Sequence, residues 1–390
     1  VLHALAFAIP ILGAWCKETV FDAQFDAENL CTRFFECMCY LLMILGASKS
    51  EDVDVLNHDK NFWYGLGISM LLIDIQWMVR YAQILFWHEE ECARTAAGQR
   101  MKLLLPGTAL YVMALVSTWL FVPDSSMMLV PSLLFAAGAA PNVYEWFLFA
   151  TTSYKRALPY NHHYVLHRCQ EIFMVLLGES VLQLVTSPMP IAGDSEYTEV
   201  ELQSMFEAVQ VLGFILTLTV MHSFIISNPT NPHEHVMGKP GSAKGALWLI
   251  LFLAKAAAVW FVGIGIKLAL YDVNAAADAF FAHDQRLLLG GACAACFLFS
   301  PLMKSLHEES FCHWLIEEFA TVISAFTFIM WILNVAAMLC VTWLVLSPLD
   351  YIALQAGLGL LHMVIGHSEW YVHRAEKKRM EEQQRAKELH

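Results

Sequence analysis

Long apolar runs separated by short polar connections make up most of the chain. A helix needs about 20 apolar residues to cross the ~30 Å hydrocarbon core of a bilayer. On this measure we predict ten crossings, at residues 30–47, 62–87, 101–122, 127–152, 162–186, 200–227, 244–270, 287–303, 318–346 and 350–372. The runs are too long and too aromatic for the alternating strands of an outer-membrane barrel. The pattern therefore predicts an all-α, polytopic helical membrane protein.

The same pattern divides the chain into three parts. Residues 1–29 hold an apolar segment, Val1–Trp15, followed by an acidic connection. Because about 15 residues are short for a crossing, we expect that segment to be the remainder of a trimmed span or of a signal sequence. Residues 30–372 form the predicted ten-helix domain. Residues 373–390 are a charged tail, either a solvated helical extension of the last span or a basic cluster that touches anionic lipid.

Basic and acidic residues fall on alternate connections between the predicted helices. If the helix at 30–47 runs outward, Lys155 and Arg156 lie on an inner connection, whereas Asp194 and Glu196 lie on an outer one. Cytoplasmic connections carry an excess of lysine and arginine. The pattern therefore predicts a cytoplasmic C-terminus.

Two predicted helices of the same orientation resemble each other. The segments Phe34–Ser48 and Cys169–Ser180 both end in an apolar run followed by Leu-Gly-x-Ser. The recurrence is consistent with an internal four-helix repeat, as found in many transporters, or with chance in a leucine-rich chain.

Composition and charge narrow the classes of partner. The 390 residues are 58% hydrophobic and 15% charged, which is typical of a membrane protein and not of a soluble domain. A net charge of −13 argues against a nucleic-acid partner. Most of the cysteines lie inside predicted spans, which argues against a disulfide framework. Membrane lipid is the expected partner, and a homo-oligomer or a larger membrane complex is compatible with the sequence.

The predicted helix at 162–186 carries ionisable side chains on one face. Arg168, Glu171, Glu179 and Gln183 fall within about 60° of Arg168 around the helix axis. An ionisable group in hydrocarbon costs roughly 2.5–3.5 kcal/mol, so this face points away from lipid. Glu36 lies at a comparable depth, where it is able to pair with Arg168. The pair is either a buried salt bridge that fixes helix register or part of a site for a transported ion.

Other charges lie near the centres of predicted spans. We include Asp74, Glu145 and Lys255 in the same predicted polar core. Lys255 is far from both ends of its span, so it must face a carboxylate or lose its proton. Pro141 precedes Glu145 in its span and marks either an ordinary kink or a broken helix whose free carbonyl groups line a substrate path.

Histidine and glutamate recur at helical spacing in two places. His163, His167 and Glu171 follow one stripe, and His313 and Glu317 belong to another. The spacing permits a metal site that uses His163, His167, His313 and Glu317, and it also suits proton relay. Histidines at a membrane interface with no such role are the third interpretation.

The segment His167–Ser180 resembles the signature helix of the low-temperature-requirement A (LtrA) family of membrane proteins, which carries a pattern like E-R-F-G-L-F-x-I-x-x-L-G-E-S. Arg168 matches the family arginine and Leu177–Ser180 its terminal Leu-Gly-Glu-Ser, while Phe173 lies one position after its second phenylalanine. His167 and Glu171 depart from the pattern.

A second likeness lies near the start of the chain, where Phe34-Phe35-Glu36 is similar to the family sequence E-L-F-F-D-L. Arg33 and Cys37 depart from it. The resemblance implies a membrane fold and location, and it does not imply a particular reaction.

No motif of a known catalytic centre is present, since the sequence lacks a G-x-S-x-G elbow, an H-E-x-x-H helix and a nucleotide-binding glycine loop. The sequence therefore favours a channel or a proton- or ion-coupled transporter over an enzyme, and it identifies no cofactor. The alternatives are a metal-dependent membrane enzyme that acts on lipid and a structural or accessory subunit of a membrane complex.

Overall fold

A computed structural model describes residues 2–25, 30–48, 60–120, 129–141, 144, 161–187, 198–228, 235–238, 243–275, 281–307 and 322–367. Within these ranges every regular element is a helix, which confirms the all-α prediction. Numbered in chain order, the helices are α1 (Leu2–Phe25), α2 (Leu30–Ser48), α3 (Lys60–Trp87), α4 (Glu91–Leu120), α5 (Leu129–Gly138), α6 (His162–Thr186), α7 (Glu199–Ile226), α8 (Ala243–Ala275), α9 (His283–Leu306), α10 (Val322–Val341) and α11 (Pro348–His367). One short 3₁₀ helix, Val236–Gly238, precedes α8.

Six of these helices are long and apolar enough to cross a membrane: α4, α6, α7, α8, α9 and α11. The chain is therefore a multi-pass membrane protein. The remaining predicted crossings overlap α2, α3, α5 and α10. Over their described residues, these helices are not among those long and apolar enough to cross a membrane. The predicted total of ten crossings is not confirmed, and neither is the internal repeat.

Helix α1 continues past Trp15, where the apolar run of the sequence ends, to Phe25. The added turns contain Lys17, Glu18 and Asp22, which look like an exposed connection in the sequence. In the structure Lys17 and Glu18 are buried, with 1% and 2% of their surfaces exposed. The residues after Trp15 are therefore part of a packed helix.

The chain divides into two compact units. The first comprises residues 1–168 and 239–246, and the second comprises residues 169–238 and 247–390. In the first unit α3 packs against α2 and α4, while α5 packs against α1 and α4. Aromatic rings fill its core, including Trp63 stacked on Phe135 with centroids 5.5 Å apart. In the second unit α9 packs against α7 and α10, and the rings of Phe173 and Phe224 stack with centroids 4.0 Å apart.

Helices α4 and α5 approach closely at Gly107. A methyl group on Gly107 would lie 2.7 Å from the carbonyl oxygen of Gly138, whereas one on Gly98 would find its nearest neighbour, a Leu85 methyl, at 3.6 Å. We expect Gly107→Ala to lower the free energy of unfolding by about 1–3 kcal/mol, because the backbone of α4 or α5 must move to make room for the methyl group. The matched change Gly98→Ala should leave the free energy of unfolding unchanged or raise it by up to about 1 kcal/mol. Detergent titration of both variants checks the difference, and equal effects would contradict the close approach.

Candidate functional site

A buried arginine shared by two carboxylates lies between α1 and α3. Arg80 donates from Nη1 to Glu18 Oε1 at 2.8 Å and from Nη2 to Asp22 Oδ1 at 3.4 Å. Glu18 and Asp22 are one helical turn apart, so both face α3. The side chains of Arg80 and Glu18 are each 2% exposed and that of Asp22 is 13% exposed. We call Glu18, Asp22 and Arg80 the charged cluster.

Aromatic rings support the guanidinium group of Arg80. Its central carbon lies 4.0 Å from the Phe21 centroid and 4.4 Å from the Trp77 centroid. Phe21 and Trp77 are themselves packed edge to face at 5.2 Å. Cation–π contacts of this kind contribute about 0.5–2 kcal/mol. Arg80 is thus held by aromatic faces as well as by its two carboxylates.

A third carboxylate, that of Glu36 on α2, lies beside the charged cluster. One oxygen from each of Glu18, Asp22 and Glu36 lies within 4.8 Å of the others. Glu36 also accepts a hydrogen bond from Arg33 at 2.9 Å. The second oxygen of Glu18, Oε2, is buried and has no hydrogen-bond partner in the residues that the structure describes. Three carboxylates therefore meet two guanidinium groups here, and one buried acceptor is unsatisfied.

The first turns of α6 complete the surroundings of the cluster. Tyr164 donates its hydroxyl to Asp22 Oδ2 at 3.1 Å, and Arg168 donates to the Tyr40 hydroxyl at 3.1 Å. Tyr164 and Arg168 are four residues apart and share a helix face. The Arg168 charge also lies within Coulombic range of Asp22. Arg168 and Glu36 are therefore both near the cluster, Arg168 bonded to Tyr40 and Glu36 to Arg33.

Asp74 is a further buried carboxylate of the first unit, with 3% of its surface exposed. It accepts a hydrogen bond from the Thr108 hydroxyl at 3.0 Å, and the Lys17 charge attracts it. The Lys17 ammonium lies 5.7 Å from the Trp77 ring, which also supports Arg80. The negative charge of Asp74 is therefore balanced by Lys17 and Thr108, and not by the residues of the charged cluster.

The remaining members of the predicted polar core lie in the second unit or outside the described residues. Glu179 is exposed and accepts a hydrogen bond from Gln183, and Glu171 is partly exposed. Lys255 is buried and donates to Ser300. Glu145 falls outside the described ranges.

The predicted histidine metal site can be followed only in part. His163 and His167 are exposed on α6, while His313 and Glu317 lie outside the described residues. Over the described ranges, Glu18, Asp22 and Glu36 are the only set of three or more His, Cys, Asp or Glu side chains whose ligand atoms converge. This set consists of carboxylates and not of imidazoles.

Sequence reasoning missed Glu18, Asp22, Tyr40 and Tyr164 as site residues. The sequence does contain a signal for Glu18 and Asp22. These acids are one helical turn apart, and each is followed three residues later by a phenylalanine, Phe21 or Phe25. The two tyrosines carry no comparable signal, since only the packing of α2 and α6 brings them to the cluster.

Comparison with known proteins supports the likeness seen in the signature helix. The sequence model of the bacterial low temperature requirement A protein (LtrA) matches residues 1–356. No curated protein and no solved structure matches the chain. The family match covers most of the sequence, including the charged cluster and the signature helix. The chain belongs to the LtrA family.

Proposed function

We propose that the protein moves a proton or a small cation across the membrane and that the charged cluster is the exchange site. The proposal includes the ten-span arrangement with a cytoplasmic C-terminus. The observation that carries it is the sharing of one buried guanidinium group between two carboxylates, with a third carboxylate within 4.8 Å. Burying charges is costly, so two carboxylates that share one buried guanidinium group favour uptake of a proton or cation.

The unequal distances suggest how the cluster exchanges its partners. Arg80 holds Glu18 at 2.8 Å and Asp22 more loosely at 3.4 Å. A proton or cation that binds Asp22 weakens its attraction for Arg80, and the guanidinium then bonds more fully to Glu18. Tyr164 orients Asp22 through its hydroxyl, at 3.1 Å. Release of the bound ion restores the shared arrangement.

Proton flux into liposomes under an imposed membrane potential tests this function. We expect Asp22→Asn to reduce flux at least about tenfold, because a hydrogen bond to a charged group contributes about 1.5–3 kcal/mol and 1.4 kcal/mol corresponds to a factor of ten. Glu207→Gln is the matched control, since Glu207 is an exposed carboxylate bonded to Gln203 on α7. Flux should be measured with and without sodium and potassium, which separates a proton from a metal cation. If Asp22→Asn and Glu207→Gln both transport at the wild-type rate, the cluster is not the exchange site.

A further inference from the structure

A buried base with no acidic partner among the described residues lies inside the second unit. Lys255 on α8 is fully buried, and its Nζ donates to the Ser300 hydroxyl oxygen on α9 at 2.7 Å. Ser300 in turn donates to the carbonyl oxygen of Cys296 at 3.0 Å. Across the described residues, the ion pairs found are those of Arg33 and Arg80, so no described carboxylate bonds to Lys255. A charged ammonium group at this position would be uncompensated.

Aromatic rings near Lys255 do not replace a counter-ion. Its Nζ lies 5.8 Å from the Phe173 centroid and 5.5 Å from the Phe224 centroid. Cation–π contacts contribute about 0.5–2 kcal/mol, whereas the desolvation penalty of a buried ion is several kcal/mol. The balance favours a neutral amine, which carries a lone pair able to accept a proton.

A second buried base, His362 on α11, lies nearby. Its side chain is fully buried, and within the described part of the chain neither ring nitrogen has a hydrogen-bond partner. The ring stacks on Trp331 at 5.1 Å and lies 4.5 Å from the Phe297 ring. A buried polar group left unsatisfied costs about 1–3 kcal/mol. Phe297 lies one helical turn from Ser300, the hydrogen-bond partner of Lys255, so two buried bases share this interior.

A partly exposed pair of histidines lies on α7 and on α11, the helix that carries His362. His222 Nε2 on α7 lies 3.1 Å from His367 Nδ1 on α11, and the pair is partly exposed. A hydrogen bond between two imidazole rings needs one donor and one acceptor, so the pair shares a proton. At about 1.5 Å rise per residue, the step from His367 back to His362 covers roughly 7.5 Å along α11. His222 is also within Coulombic range of His362.

We propose that the second unit contains a proton path that runs from the His222–His367 pair through His362 to Lys255. The pair takes a proton from solvent and passes it, through bound water, to one ring nitrogen of His362. His362 releases the proton on its other nitrogen to the Lys255 lone pair, and an ammonium group forms without any change in carbon bonding. The proposal does not depend on the charged cluster of the first unit.

Few other titratable groups face this path in the described residues. Cys296 on α9 is fully buried within Coulombic range of Lys255, and its thiol is an alternative source of a counter-ion. Helices α6 and α10 contribute the rings of Phe173 and Trp331, which do not titrate. The path can therefore be tested by following the charge of Lys255 directly.

Nitrogen-15 NMR of the full chain in lipid nanodiscs, with lysine labelled at Nζ, provides this test. We expect the Lys255 resonance at the amine position in alkaline buffer and at the ammonium position in acid. After rapid acidification, His367→Ala and His222→Ala should each slow that change about a hundredfold, since a positioned proton carrier contributes 10² or more to a transfer rate. His283→Ala is the control, because His283 is an exposed histidine at the start of α9.

The assignment of the resonance follows from its loss in Lys255→Met, or from its displacement in Ser300→Ala if the first variant does not fold. A resonance that stays at the ammonium position at every pH would overturn the proposal. An ammonium resonance that appears only in the presence of chloride would also overturn it, because it indicates an anion site. A resonance that moves from the ammonium to the amine position in Cys296→Ala would overturn it as well, because it indicates a thiolate counter-ion. An unchanged rate in both histidine variants also overturns it. Asp22→Asn, which tests the proposed transport site, should leave this resonance unchanged.

Discussion

Replacing Arg80 by methionine is expected to lower the free energy of unfolding by about 3–5 kcal/mol, because removing one partner of a buried ion pair leaves an uncompensated charge. Glu18, at 2% exposure, would then hold an uncompensated charge or take up a proton, and either costs free energy. Methionine keeps much of the volume between the Phe21 and Trp77 rings, so the loss reports charge more than packing. Unfolding by SDS titration in mixed micelles measures the change.

A second substitution separates the charge effect from a packing effect. In the double variant Glu18→Gln with Arg80→Met, the orphaned carboxylate is gone, and we expect much of the lost stability to return. Arg94→Met is the matched control, since Arg94 is an exposed arginine on α4, and it should stay within about 0.5 kcal/mol of the wild type. A double variant no more stable than Arg80→Met alone would show that packing, and not the ion pair, dominates at this position.

Phe173→Ala is expected to cost about 3–5 kcal/mol, as other large-to-small changes of a buried phenylalanine do. The Phe173 ring is fully buried in the second unit and stacks on Phe224 with centroids 4.0 Å apart. Its removal leaves a cavity between α6 and α7 that the surrounding helices fill only in part.

The neighbouring residue provides the control for this prediction. Met174 is 54% exposed, so Met174→Ala on the same helix should have a much smaller effect in the same SDS titration. Equal losses in the two variants would mean that Phe173 is not a core residue and that α6 faces its unit differently.

The sequence predicted individual helices better than it predicted their contacts. The crossings expected at 162–186 and 200–227 correspond closely to α6, His162–Thr186, and α7, Glu199–Ile226. Helix α1 was underestimated, because Lys17, Glu18 and Asp22 interrupt its apolar run and look like the start of a connection. In a membrane protein such an interruption can mark a buried polar face instead of a helix end.

The candidate site was predicted only in part. Glu36 and Arg168 lie near the charged cluster, yet their contacts are Arg33 and Tyr40 instead of each other. Arg80 lies inside the predicted crossing at 62–87, but its acids are 58 and 62 residues away in the chain. Local spacing reveals which residues share a helix face and gives no information on which helix that face meets.

The sequence alone determined the fold class, the membrane location and the family, because each depends on local properties: the length of apolar runs and a short motif in one helix. Only the tertiary structure decided which charges pair. Apolar side chains in a bilayer cover the lipid-facing surface as well as the packed interior, so hydrophobicity does not mark the inner face of a helix. The partners of Glu18 and Lys255 depend on that face, and packing of α1 against α3 and of α8 against α9 is what sets them.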